Sequence, residues 1–385
     1  MSDAVIVEAV RTPIGRRNGT LSGMHPADLS AHVLAALAAR SGVDPVMVDD
    51  VIWGCVSQVG EQTFDIARTA ALSAGWPESV PGTTVDRQCG SSQQAVHFAA
   101  AAVASGQCDL VVAGGVESMS RVPMGVAATV PEGQSPLGER YRQRYGAEFP
   151  NQGIGAEMVA ERWRLSREML DVFALESHER AAAATDGGCF REEIAPVTRA
   201  DGIVVDTDEG IRRGGTPETM ANLRAAFRPD GVITAGNSSQ ISDGAAALLI
   251  TTSKHAQELG VKPLARIHTA TVAGDDPTIM LTAPIPATVK ALAKSGLSVD
   301  QIGVFEVNEA FASVALAWSL EIGADRARLN PNGGAIALGH PLGGSGARLM
   351  TTLVHHMRER GIRYGLQTMC EGGGQANATL VELLA

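Results

Sequence analysis

Short runs rich in β-branched and aliphatic residues alternate along this chain with stretches of helical composition, and that alternation most limits the folds open to it. Ala4–Val10, Val51–Val56, Leu110–Ala113, Ala247–Thr252, Val304–Val307, Leu366–Cys370 and Thr379–Leu383 read as strands. Ala27–Arg40 and Ala287–Lys294 read as helices, with Gly42 and Gly296 just beyond them, where a C-terminal turn uses glycine. The pattern predicts an α/β fold. The outer thirds share a local plan. Cys89-Gly-Ser-Ser opens a helix that leads to Leu110-Val-Val-Ala-Gly-Gly, and Leu342-Gly-Gly-Ser-Gly opens one that leads to Gln367-Thr-Met-Cys-Glu-Gly-Gly, as two copies of one unit would.

A chain of 385 residues with 45% hydrophobic content suffices for two or three domain-sized units. Residues 118–240 break the alternation, being rich in charge, Pro and Gly, and read as an insertion with helices of its own. In it Leu165, Met169, Val172 and Phe173 share one face at helical spacing, with Ser166 placed as N-cap and Glu168 in the first turn. Gly90 to Cys108 carries no formal charge, but its Ala, Ser and Gln content predicts a buried helix rather than a bilayer span.

With 31 basic and 42 acidic side chains the formal charge is −11, so nothing in the balance draws the chain to nucleic acid or an anionic membrane. An anionic ligand would need local basic groups. The five cysteines are widely spaced and contain no C-x-x-C pair, which argues against a disulfide framework and a zinc site and for reduced thiols. Met1-Ser-Asp-Ala lacks the basic-then-apolar pattern of a signal peptide, so the expected location is the cytoplasm.

Four segments carry chemistry. Cys89 lies in Val85-Asp-Arg-Gln-Cys-Gly-Ser-Ser-Gln-Gln-Ala, between a β-like run and a helix of small residues. Its sulfur and backbone N–H would lie at a helix N-terminus, which favours a thiolate. A cysteine is also commonly a small buried hydrophobe, a reading that flanking Gly90, Ser91 and Ser92 weaken. Asn332-Gly-Gly-Ala-Ile-Ala-Leu-Gly-His-Pro-Leu-Gly-Gly-Ser-Gly lets backbone approach a ligand closely and leaves His340 open to it. It contains neither Gly-Lys-Ser/Thr nor G-x-G-x-x-G after a strand, so it is not a phosphate loop. Met369-Cys-Glu-Gly-Gly-Gly-Gln-Ala places Cys370 at a strand end before a glycine turn whose amides could serve an oxyanion. Val307-Asn-Glu-Ala-Phe-Ala sets Asn308 and Glu309 after an apolar run, where by themselves they could merely cap a helix.

Together, in this order, and with Ala9-Val-Arg-Thr-Pro-Ile-Gly and Thr234-Ala-Gly-Asn-Ser-Ser-Gln-Ile-Ser-Asp-Gly-Ala-Ala-Ala, these segments resemble the thiolase family over essentially the whole chain. The resemblance implies two similar α/β halves in a five-layered α-β-α-β-α core: residues 1–117 with 241–263, then 264–385, with 118–240 an inserted loop domain that binds CoA. It implies that Cys89 carries an acyl group, that His340 activates it, and that Cys370 exchanges a proton with the substrate α-carbon. Asn308 would hold a water that forms, with His340, one oxyanion hole, and the amides of Cys89 and Gly372 a second. Arg212, Thr219 and Ser239 align with CoA contacts. CoA is then a substrate rather than a bound cofactor, no metal is implied, and a homodimer or homotetramer without membrane insertion is expected.

Ser92 in place of a glycine, Gln94 beside Gln93, Asn151-Gln-Gly where many biosynthetic members carry His-Met-Gly, and Gln240-Ile-Ser all depart from the commonest patterns. They favour a degradative 3-ketoacyl-CoA thiolase, including those used on steroid-derived chains, over an acetoacetyl-CoA thiolase. A ketoacyl synthase would lack Cys370 in its glycine turn, and a non-catalytic lipid carrier or scaffold would be expected to lose the nucleophile.

Overall fold

The computed structural model describes residues 2–131, 134–146 and 150–384. Its strands in chain order are β1 (Val5–Arg11), β2 (Gly15–Arg16), β3 (Asp50–Gly54), β4 (Gly82–Val85), β5 (Leu110–Ser118), β6 (Val197–Thr198), β7 (Val204–Val205), β8 (Ser242–Thr251), β9 (Ala265–Gly274), β10 (Val304–Val307), β11 (Tyr364–Glu371) and β12 (Gln375–Leu383). The seven expected strands are present, β10 with the expected ends and the others with shifted ones, while β9 and the two-residue strands β2, β6 and β7 were not expected. β9 alternates buried with half-exposed positions and carries Arg266, His268 and several threonines, so its apolar signal is diluted.

Strand order is β10-β11-β12-β9-β1-β8-β5-β3-β4. The halves meet where Val5 and Ile6 of β1 pair with Arg266 and Ala265 of β9, so two sheets join along a short seam. One face of the first sheet packs Val51, Trp53, Val112 and Leu249 against Leu29, Val33 and Leu37 of helix Pro26–Ser41. The opposite face sets Ile6, Val111 and Leu248 against two central helices, Ser91–Ser105 and Leu342–Arg360, whose far side meets Val304 and Val381 of the second sheet. The outer face of that second sheet packs Phe305, Leu366 and Leu380 against Ala287, Ala291 and Trp318 of helices Pro284–Ser295 and Ala312–Ile322. Counted through the molecule, these are five layers. Gly42 and Gly296 end their helices at φ of 70° and 73°, in the left-handed region that glycine adopts without strain.

β5 runs nine residues where four were expected, because Gly114 and Gly115 belong to the strand. A side chain at Gly115 would collide with the backbone of Gly343 and Gly54. The missing Cβ lets the start of helix Leu342–Arg360 settle directly on the sheet, and that start follows His340 by two residues. Close approach, rather than a turn, is what the glycine pair serves.

Among the described residues, the chain between β5 and β8 adds no strand to the large sheet beyond a bridge of Ile194 to Arg11; it forms the β6–β7 ribbon and helices that include Gln152–Arg162 and Arg167–Asp186. Ser166 caps the latter, accepting from the Met169 amide at 3.2 Å. The expected apolar face is half wrong: Leu165 and Phe173 are buried, but Met169 and Val172 point to solvent. Leu170, Phe173, Ala174, Ser177 and Ala181 form the inner stripe, masked in the sequence by polar residues that also face inward. Asp171 accepts from Asn237 Nδ2 at 2.9 Å and Ser177 donates to Glu309 at 2.7 Å, so both are satisfied there.

Arg11 ties this inserted region to the first sheet. Its buried guanidinium donates to Glu193 at 2.5 Å and, through both terminal nitrogens, to Asp208 at 2.7 and 2.9 Å. Arg11→Met leaves two buried carboxylates without their cation, and a loss of about 3–5 kcal/mol in denaturant unfolding is expected. A midpoint within error of wild type would show that the carboxylates find other partners.

Candidate active site

The turn into helix Ser91–Ser105 is tight. Ser91 Oγ accepts from the Arg87 amide at 2.9 Å and donates to the Gln88 carbonyl at 2.6 Å, and Gln88 takes a positive φ of 49°. Such a backbone costs on the order of 1–3 kcal/mol in a non-glycine residue and persists only where the surroundings impose it. It puts Cys89 just before the helix, with its side chain among Met119, Leu342, Leu349 and Met369. Gln88 Oε1 lies 2.9 Å from where a Gly372 side chain would begin, so the turns carrying the Cys89 and Gly372 amides face each other.

The expected thiolate is not what this environment favours. Burial pushes the Cys89 thiol up to about 12, and the carboxylates of Glu371, Glu117 and Asp86 add to the rise. The helix N-terminus cannot outweigh desolvation together with three acidic neighbours. Cys370, buried on β11, is likewise pushed well up, first by burial and then by Cys89 and Glu371, which places the two sulfurs within electrostatic reach of each other.

His340 is buried rather than open, in the loop before helix Leu342–Arg360. Its amide donates to Ser242 Oγ at 3.1 Å. Ser345 Oγ donates its single hydrogen to the Pro341 carbonyl at 2.8 Å, so it accepts from His340 Nδ1 at 2.6 Å. That fixes the tautomer: Nε2 carries the lone pair. Asn308 Nδ2 lies 3.3 Å from Nε2, and the Asn308 amide is tied to the Thr368 carbonyl at 3.0 Å, beside Cys370 on the next strand. Burial, reinforced by the Arg348 cation, pulls His340 down to about 3, so the imidazole is neutral across the physiological range.

Glu309 is no helix cap. Buried, it accepts from Ser177 at 2.7 Å, Asn330 at 2.9 Å and the Ile336 amide at 3.2 Å, locking the segment before His340 onto the Asn308 loop. Glu117, which the sequence reading passed over, accepts from the amides of Val56, Ser57 and Gly343 and from Gln62 at 2.7–3.0 Å, holding the His340 helix to the first sheet. A lone acid closing the apolar run Leu110–Val116 was the available signal.

The other candidates spread further apart. Ser239 sits against the Asn308 segment, its amide donating to the Ala310 carbonyl at 2.9 Å. Arg212 is exposed in a cleft shared with Leu175, His178 and Glu179, its amide donating to His178 Nδ1 at 3.1 Å, while its neighbour Arg213 pairs with Asp186. Thr219 uses its hydroxyl within its own short helix, accepting from the Thr216 amide at 2.9 Å and donating to the Thr216 carbonyl at 2.8 Å. Asn151 caps helix Gln152–Arg162 through the Gly153 amide at 2.9 Å, and Gln240 donates to the Gly210 and Ile336 carbonyls, both at 2.8 Å. Among the described residues no cluster of three potential ligands could hold a metal ion, and no helix is long and apolar enough to cross a membrane.

A buried cysteine at a helix start, an imidazole of fixed tautomer hydrogen-bonded to an asparagine, and a second cysteine before a glycine turn, all on a five-layered α/β core, are the kinds of group that cysteine-dependent acyl transfer requires. Residues 4–254 match the thiolase N-terminal domain and residues 261–383 the thiolase C-terminal domain, and the chain belongs to the thiolase family. It is 50% identical to a steroid 3-ketoacyl-CoA thiolase of Mycobacterium tuberculosis, over 100% of this chain and 95% of the relative. A 3-ketoacyl-CoA thiolase of Erwinia tasmaniensis is 48% identical over 99% of this chain and 100% of its own. The crystal structure of the Bacillus anthracis acetyl-CoA acetyltransferase superposes with a TM-score of 0.92 at 39% identity, covering 100% of this chain and 99% of that one.

Proposed function

We propose that this enzyme cleaves 3-ketoacyl-CoA esters with CoA, giving acetyl-CoA or propionyl-CoA and a shortened acyl-CoA, and runs reversibly as a Claisen condensation. The observation that carries the reading is the Asn308–His340–Ser345 chain, which holds a neutral imidazole with its basic lone pair on Nε2, facing Asn308 Nδ2 at 3.3 Å, in a site that buries two cysteines. In so dry a site a lone thiolate and a lone imidazolium are each disfavoured, so the proton passes from Cys89 to His340 as the sulfur attacks the 3-keto carbon. The resulting oxyanion takes the amides of Cys89 and Gly372. Collapse breaks the bond between C2 and C3, Cys370 protonates C2, and the shorter acyl group stays on Cys89 as a thioester. The CoA thiol then gives its proton to the Cys370 thiolate and attacks the thioester carbon, and as the bond to Cys89 breaks His340 returns its proton to that sulfur. The enolate oxygen of the departing thioester is met by His340 and a water on Asn308. Losing one oxyanion donor costs ~10²- to 10³-fold in turnover.

The loop region 118–240 is assigned to CoA, with Arg212, Thr219 and Ser239 as its contacts. Since a charge of −11 repels an anion, Arg212 provides a local counter-charge. Arg212→Ala is expected to raise KM for CoA severalfold with much less change in kcat, and an unchanged KM would remove it from the site.

The longer 3-ketoacyl substrates, steroid-derived chains included, are favoured over acetoacetyl-CoA because the chain is 50% identical to a steroid 3-ketoacyl-CoA thiolase and 48% identical to a 3-ketoacyl-CoA thiolase. A panel of 3-ketoacyl-CoA esters, assayed by loss of enolate absorbance on adding CoA, tests the assignment. Cleavage of acetoacetyl-CoA alone would move the enzyme to the biosynthetic class, and no cleavage at all would leave a carrier or scaffold. The assembly is taken as a cytoplasmic homodimer or homotetramer, which light scattering reads as a multiple of the 40.0 kDa chain.

A further inference from the structure

Glu371 follows Cys370 directly at the end of β11, and the steps above give it no task. Its side chain is fully buried; Oε1 accepts the Asn377 amide at 2.9 Å, and Oε2 has no partner. The cation acting on it, Arg87, spends Nη1 on Gln375 Oε1 at 3.0 Å and makes no ion pair with it. The carboxyl presses on Gly90, where any side chain would collide with it. Only 2.9 Å from that same point lies Asn377 Oδ1, a second buried acceptor without a partner. The Asn377 amide cannot turn to help, because its Nδ2 donates to Gln94 Oε1 and His97 Nδ1, both at 3.0 Å, and His97 Nε2 is held by Thr379 at 2.7 Å. Oε2 is therefore a buried acceptor without a donor, a state that is costly for a carboxylate and that one hydrogen on the carboxyl relieves.

We propose that Glu371 is a neutral carboxylic acid in the working enzyme, and a positioning residue whose ionisation shuts down the cysteine centre by setting a negative charge against Cys89, Cys370 and the Gly372 amide. The charged and titratable groups around it offer little compensation. Arg87 and Asp86 precede the Cys89 helix, Cys89 and His97 come from that helix and its start, Cys370 from the same strand, and Glu117 from β5. His97 is neutral, pulled down to about 3 by burial and by Arg87 and Lys294. Burial pushes Glu371 up to about 8, against the opposing pull of Arg87 and the Asn377 amide. Between its ordinary 4.5 and about 8 the folded chain holds a proton the unfolded chain has lost. Its contribution to stability is therefore full below that window and lost as pH rises through it, and the centre loses activity as pH passes about 8.

The inference rests on Cys89 as the acyl carrier. Its test is the single-turnover rate at which acetyl-CoA acylates Cys89, read by CoA release from pH 7 to pH 9 in wild type and E371Q. Taking the ratio of variant to wild type cancels titrations the two proteins share. That ratio is expected to rise ~10-fold across the range, as a group titrating near the middle passes from mostly neutral to mostly charged. A merely structural role for Glu371 would change the rate by one factor at every pH, and a flat ratio overturns the proposal. Should E371Q not fold, E371L gives the same comparison, since both remove the charge. A wild type that acylates Cys89 at no pH overturns the proposed function and this inference with it, whereas normal acylation with a flat ratio overturns this inference alone.

Discussion

Replacing Cys89 by alanine is expected to abolish turnover, by on the order of 10⁴- to 10⁶-fold, while the protein stays folded. The side chain lost is small and the turn around it is held by other groups: Ser91 on Gln88 and Arg87, Gly90 beneath Glu371. What disappears is the sulfur proposed to carry the acyl group, and among the described residues no other cysteine sits at a helix start facing the Gly372 turn. Mass spectrometry of wild type after brief exposure to an acyl-CoA should find the added mass on the peptide carrying Cys89. Finding it on Cys370 would reverse the roles of the two cysteines.

Replacing Cys370 by alanine is expected to separate the halves of the reaction. Transfer of an acyl group from acyl-CoA to Cys89 should survive largely intact, because that step is assigned here to Cys89, His340 and the amides of Cys89 and Gly372. Exchange of the acetyl-CoA α-protons with solvent deuterium should slow by ~10²- to 10⁴-fold, the usual worth of a positioned acid or base. If His340 were instead the group that removes this proton, exchange would persist in C370A and fail in H340A. The neutral imidazole makes that alternative chemically reasonable, since a lone pair on Nε2 can serve either proton. Deuterium uptake followed by NMR in both variants separates the two assignments.

Much of this was legible along the chain. Strand and helix alternation is local, so seven strands and the glycine-capped helices could be read from neighbouring residues, and β9 escaped because its apolar pattern is weak. The residues proposed to carry the chemistry, Cys89, His340, Cys370 and Asn308, stand in short segments whose glycines and polar neighbours are unusual enough to mark them. Met169 and Val172 show the limit: helical spacing found the helix but not its phase, which was set by Asp171 and Ser177 finding partners on Asn237 and Glu309.

What the sequence determined by itself was therefore which groups are present and which local element carries each. Their states were decided only by the tertiary structure. The start of a helix argued for a Cys89 thiolate, yet folding buries that sulfur among Met119, Leu342, Leu349 and Met369, and desolvation reverses the sign of the effect. The His340 tautomer depends on a hydroxyl one helical turn further on, and its neutrality on burial and on Arg348. Protonation is set by desolvation and by charges near in space, and neither quantity exists until distant segments of the chain have come together.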